Sequence, residues 1–265
     1  MSRFMAPEAV ADFDGVILDC RFSLADESAG RAAHAAGHVP GALHLDLNRH
    51  LSAPVAKHGG RHPLPEPAQF AACLAGFGID RETNVLLYDD ANYAFAARCW
   101  WMLRALGYRP PSFIDGGYRA WLAAGGVPAT TTGDPEPVAA PEVPDRWPGC
   151  VDREDLAQYQ ANGARLVDAR EAARYRGEME PIDPVAGHIP GAENRPWQAF
   201  VDDHGRFRDT EQLRALWGDL VDAPLVVTYC GSGVSACVNL LSLSLLGRDD
   251  VLLYGGSWSD WCSYL

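Results

Sequence analysis

Apolar residues come along this chain in short runs bounded by Gly, Pro or Asp, and these alternate with longer stretches in which apolar positions recur at helical spacing. Val85-Leu86-Leu87-Tyr88 reads as a buried strand, followed by a helix near 94–106 that Gly107 can end. Leu225 to Tyr229 reads the same way, followed by a helix over about 234–246 that stops at Gly247. The alternation predicts an α/β protein, built of β-α-β units around mainly parallel sheets with helices on both faces. In open sheets of this kind ligands bind beyond the carboxyl ends of the strands.

The pattern occurs twice. Val16-Ile17-Leu18-Asp19-Cys20-Arg21 recurs as Arg165-Leu166-Val167-Asp168-Ala169-Arg170, each an apolar run ending in Asp-x-Arg. Gly37-His38-Val39-Pro40-Gly41-Ala42 recurs as Gly187-His188-Ile189-Pro190-Gly191-Ala192, Val85 to Tyr88 as Val226 to Tyr229, and Gly116-Gly117 with Trp121 as Gly255-Gly256 with Trp261. Four blocks in one order indicate an internal duplication. Residues 1–127 and 150–265 are thus read as two domains. Residues 128–149 between them, rich in proline, read as an extended, semi-rigid connector.

Composition narrows the function classes. A net charge of −13 disfavours nucleic acid or an anionic membrane surface as partner, although a few arginines can still make one cleft locally positive. No apolar run reaches the roughly 18 residues needed to span a bilayer. The first residues lack the apolar core of a secretory signal, which points to a cytoplasmic location. Seven dispersed cysteines without Cys-x-x-Cys pairs argue for reduced thiols over a disulfide framework or structural zinc, and no metal or organic cofactor is expected.

One of those cysteines is set apart. Cys230 closes the second apolar run and is followed by Gly231-Ser232-Gly233-Val234-Ser235-Ala236, a strand-to-helix turn. Gly231 and Gly233 are expected at positive φ, curling backbone N–H groups toward one point faced by the positive end of the next helix. Such a cradle favours an anionic sulfur. In the first copy Asp89 occupies the place of Cys230, and a carboxylate cannot accept sulfur. The chemistry is therefore expected in the second copy. His38 and His188 occur in both copies and read as turn-fixing residues, and Arg170, echoed by Arg21, reads as serving the fold. Cysteine phosphatases commonly carry an arginine six residues after the thiol; here that residue is Ala236, and neither a Walker loop nor an HExxH motif occurs in the sequence.

With these residues the chain resembles the tandem-rhodanese sulfurtransferases over nearly its whole length. The resemblance implies two rhodanese-like domains, the first inactive through Asp89 and the second catalytic. The loop Cys230-Gly231-Ser232-Gly233-Val234-Ser235 is similar to the Cys-Gly-Ser-Gly-Val-Thr of 3-mercaptopyruvate sulfurtransferases, with Ser235 in place of Thr. It implies a Cys230 persulfide, formed from a small anionic sulfur donor and delivered to a thiol, thioredoxin or cyanide. By the same resemblance Arg174 corresponds to a substrate-binding arginine, and Ser232 and His62 to two members of a serine-histidine-aspartate relay.

Two positions depart from that pattern. The second substrate arginine of the mercaptopyruvate enzymes falls on Asp183, so one carboxylate-binding arm is expected to be missing, and the relay aspartate falls on Asn48, with Asp46 two residues away. Thiosulfate as donor is the alternative within the class, and a non-catalytic rhodanese pair acting as a binding module is the alternative outside it. Trp100, Trp101 and Cys237 read as packing residues, and Trp258 and Trp261 as bordering the cleft.

Overall fold

The computed structural model describes residues 3–265. They form two compact units, the first made of the chain up to Ala53, Pro65–Pro148 and Asp203–Arg206, the second of Pro54–Leu64, Gly149–Asp202 and Phe207–Leu265.

In the first unit five strands, β1 (Phe4–Met5), β2 (Val16–Asp19), β3 (Leu43–His44), β4 (Val85–Tyr88) and β5 (Ser112–Ile114), form a sheet in the order β1-β5-β4-β2-β3. In the second, β6 (Cys150–Val151), β7 (Arg165–Asp168), β8 (Glu193–Asn194), β9 (Val226–Tyr229) and β10 (Leu252–Tyr254) repeat that order as β6-β10-β9-β7-β8. Every strand pair is parallel. The central strands β4 and β9 are buried at all four positions, as expected of parallel strands covered on both faces, whose sequences are continuous apolar runs without alternation. Their helices span Ala96–Ala105 and Ala236–Leu245, a residue or two inside the expected limits, and the chain leaves each through a left-handed glycine, Gly107 and Gly247. No helix of the described residues is long and apolar enough to cross a membrane.

The repeated sequence blocks have one physical basis in both units. Tyr88 lies opposite Asp19 and Tyr229 opposite Asp168 in the sheet register. Arg21 clasps the Asp19 carboxylate and donates to the carbonyl of Gly37 at 2.8 Å; Arg170 clasps Asp168 and donates to that of Gly187 at 2.6 Å. The hydroxyls of Tyr88 and Tyr229 accept the N–H groups of Val39 and Ile189. Each Asp-x-Arg block therefore satisfies a buried turn that its own strand could not reach through the main chain. The turn histidines donate to backbone as well, His38 to the carbonyl of His34 and His188 to that of Tyr175, in keeping with their presence in both copies.

Two features differ from the sequence reading. Pro54–Leu64, expected within a contiguous first domain of residues 1–127, packs in the second unit. The segment has no helix or strand of its own and meets its hydrogen-bonding needs on the last helix, Ser257–Cys262: the N–H of Gly59 donates to Asp260, that of Arg61 to Ser259, and His58 bonds Ser263. Gly60, at φ +85°, allows the close passage, since a Cβ there would lie 2.5 Å from the carbonyl oxygen of Gly256. The proline-rich stretch is extended but held to the first unit through its length: Ala129 pairs with His38, the Val138 N–H donates to Ala75, and the Trp147 indole donates to Pro65.

Candidate active site

Cys230 stands one residue beyond β9, at the carboxyl end of the central strand of the second unit. The residue is only 2% exposed. Its N–H donates to the Ser257 hydroxyl at 3.1 Å, and its carbonyl accepts the N–H of Trp258 at 3.0 Å. Ser257 holds a left-handed conformation, φ +57°, that costs a non-glycine residue energy and is kept because its hydroxyl also donates to the carbonyl of Tyr254. It was missed in the sequence, where Gly255-Gly256 was matched to Gly116-Gly117; the structure shifts that match by one residue, since Tyr118 and Trp258 donate to the carbonyls of Asp89 and Cys230, and Ser257 thus corresponds to Gly117, which has φ +65°.

Residues 231–235 form the loop and Ala236 opens the helix that follows. Only Gly233 takes positive φ, +74°. Gly231 does not, contrary to expectation, and the reason for a glycine there is space. A Cβ on Gly231 would meet Nη2 of Arg61 at 2.9 Å and both Nη atoms of Arg174 at 3.6 Å. Two guanidinium groups thus flank the residue after the cysteine.

The first copy supplies a view of what such a loop holds. Asp89, at the position of Cys230, is buried, and its two carboxylate oxygens accept four backbone N–H groups, from Ala91, Tyr93, Phe95 and Ala96, at 2.9–3.0 Å. Burial pushes this carboxyl up in pKa while the four donors pull it down, with burial the stronger. The turn there passes through left-handed Asn92 and Tyr93, as the second loop does at Gly233.

Ser232 and His62 meet: Nδ1 of His62 lies 2.8 Å from the Ser232 Oγ, and both residues are buried. The Asp46 carboxylate caps the short helix Leu47–His50 by accepting the N–H groups of Asn48 and Arg49.

Arg174 extends from the short helix Ala172–Tyr175 and is paired through Nη2 with Glu180 at 2.6 Å and with Asp183 at 3.2 Å. The other oxygen of Asp183 accepts Nη1 of Arg61. Asp183 therefore bridges two arginines and is almost wholly enclosed, its side chain 2% exposed against 28% for Arg61 and 15% for Arg174. Arg61 was not singled out in the sequence, although it adjoins His62. Arg170 is turned to Asp168, Glu180 and Gly187. Arg176 sits in an exposed pair with Glu178. Trp258 is buried beneath Arg170, with its indole N–H donated to Val185, and Cys237 is buried on the helix after the loop.

Comparison with known proteins identifies this architecture. The rhodanese-like domain model matches twice, over residues 6–124 and 152–264. The chain is 46% identical over 260 residues to a Pseudomonas aeruginosa protein named "Probable 3-mercaptopyruvate sulfurtransferase", covering 94% of this chain and 89% of the relative. It is 34% identical to the thiosulfate sulfurtransferase of Cricetulus griseus, covering 92% and 84%. Among solved structures, the 3-mercaptopyruvate sulfurtransferase from Leishmania major superposes with a TM-score of 0.86 at 33% identity, covering 99% of this chain and 74% of that one. Two matched domains, two sheets of one strand order and relatives aligned along nearly the whole chain lead to one conclusion: the chain belongs to the tandem-rhodanese sulfurtransferase family.

Proposed function

We propose that the protein transfers sulfane sulfur from 3-mercaptopyruvate to a thiophilic acceptor through a persulfide on Cys230. The observation that carries this reading is the pair of matching loops. In the first, four amides hold the carboxylate of Asp89; in the second, a sulfur atom takes the carboxylate's place at the end of the equivalent strand, β9 in place of β4. A loop whose main-chain N–H groups offset part of the cost of burying one anion suits another of similar size, the terminal sulfur of a persulfide.

In the proposed first step the Cys230 thiolate attacks the donor sulfur. A sulfur–sulfur bond forms, the donor carbon–sulfur bond breaks, and its electron pair leaves on carbon as the enolate of pyruvate. The proton carried by the donor sulfur ends on that carbon, with the Ser232–His62 pair as relay, so pyruvate departs and the persulfide remains anionic. In the second step an acceptor thiolate attacks the outer sulfur and the Cys230 thiolate leaves. No outside oxidant or reductant is needed. Arg174 is assigned to the donor carboxylate, toward which it offers Nη1, the nitrogen not engaged by Glu180 or Asp183. Thiols, thioredoxin and cyanide are acceptors of suitable chemistry. All seven cysteines are unbridged, which suits a reducing compartment such as the cytoplasm.

Intact-mass analysis after separate exposure to 3-mercaptopyruvate and thiosulfate tests the reading, with Cys230→Ser as control. Addition of one sulfur atom from 3-mercaptopyruvate, absent in the variant, is expected. An unmodified wild-type chain with both donors would leave a binding module as the better account.

A further inference from the structure

The missing second arm of the donor clamp has a replacement on a different part of the chain. We propose that Arg61 supplies it, that Asp183 is the positioning residue that aims Arg61, and that the resulting clamp selects singly charged carboxylate donors over dianions. The inference rests on the sulfur-transfer reading of the Cys230 loop.

Three observations converge on it. First, the nearest atoms to the open side of Gly231 are three guanidinium nitrogens, one from Arg61 and two from Arg174. Gly231 adjoins Cys230, so an anionic group held there belongs to a molecule whose reacting end is at the thiol. Second, the two arginines are anchored from behind. Nη1 of Arg61 is spent on Asp183, while Nε and Nη2 of Arg174 are spent on Glu180 and Asp183. Nη2 of Arg61 and Nη1 of Arg174 make no hydrogen bond to the protein among the described residues, and both lie at Gly231. A fork with its back fixed and its front donors unspent is pre-organised for a planar anion. Third, Arg61 is delivered there by a built connection: its own N–H donates to Ser259, and Gly60 lets the strand of chain pass against Gly256.

Asp183 then acquires a meaning that the sequence alone made look like a loss. An arginine at 183 would point a third guanidinium at the other two; an aspartate there binds both and balances the pair together with Glu180. Because the two cations are already matched by two buried carboxylates, each negative charge on a donor has to be held by N–H donors alone, so a monoanion brings one such charge and a dianion such as thiosulfate two.

Steady-state kinetics with 3-mercaptopyruvate and with thiosulfate, on wild type, Arg61→Ala, Arg61→Lys and Asp183→Asn, tests this. Arg61→Ala is expected to raise KM for 3-mercaptopyruvate about tenfold with kcat little changed, and Arg61→Lys to fall between it and wild type, since charge is kept and the fork lost. Asp183→Asn should move the donors in opposite directions, raising KM for 3-mercaptopyruvate as Arg61 loosens and lowering it for thiosulfate as a negative charge is removed. A merely structural aspartate would shift both donors alike, and that result, or an unchanged KM in Arg61→Ala with a wild-type melting curve, overturns the inference alone. A wild-type chain that takes up sulfur from neither donor overturns the parent reading and this inference with it.

Discussion

Asp89 and Cys230 occupy equivalent positions in the two units: each follows the tyrosine that registers with the aspartate of an Asp-x-Arg block, Tyr88 with Asp19 and Tyr229 with Asp168. One unit fills its amide cradle with a carboxylate from its own chain. The other presents a thiol.

Replacing Asp89 should therefore be costly without touching the second loop. Asp89→Ala strands four buried N–H groups that now share one carboxylate, and a loss of about 3 kcal/mol or more is expected in urea unfolding. Asp89→Asn keeps the shape but turns one acceptor oxygen into a donor that faces two N–H groups, so a loss of about 2 kcal/mol is expected.

At Arg174 the expected effect is on the donor. Arg174→Ala should lower kcat/KM for 3-mercaptopyruvate by about tenfold or more, mainly through KM. Initial rates over a donor series check it, and an unchanged KM removes Arg174 from donor binding.

Ser257 separates strain from hydrogen bonding. Ser257→Gly loses the acceptor for the Cys230 N–H but relieves the left-handed backbone, each worth about 1 kcal/mol, and should leave stability near wild type. Ser257→Ala loses the acceptor and keeps the strain, so thermal unfolding should fall clearly below that of the glycine variant. Both should slow persulfide formation, read by mass, because the loop keeps its backbone bonds from Trp258 and Ser259 but loses the side-chain tie that fixes the Cys230 N–H.

Asp19 links the first unit to pH. It is buried, which raises its pKa, but hydrogen bonds from His34 and Arg21 outweigh burial and bring it from 3.8 to about 2. A carboxyl depressed in the folded state stabilises the fold above its unfolded pKa and loses that contribution as pH falls through the folded value. About 2 kcal/mol is therefore expected to be present above pH 4 and lost progressively toward pH 2. Urea midpoints measured across this range check it; a flat profile removes Asp19 as a source.

The architecture was legible because the apolar runs are short and fully buried, and because the duplicated blocks tie strand ends to turns within each unit. The loop and its thiol were legible for the same reason. The rest depended on contacts distant in sequence. Arg61 lies 122 residues from Asp183 and His62 lies 170 from Ser232, and no periodicity encodes such pairings. The aspartate at 183 read as an arm removed, since a sequence shows a charge reversed but not the two cations that face it. Gly231 likewise read as a residue at positive φ, when what it provides is room.

The carboxylate of Asp89 is covalently part of the loop that binds it, so it can neither depart nor be displaced by a competitor. An electrophilic probe such as iodoacetamide thus meets two loops of common descent on one polypeptide, of which one has a sulfur to alkylate and the other has none. Read peptide by peptide, a labelling experiment on this chain thus carries an unreactive loop as its own control, beside the six other free cysteines.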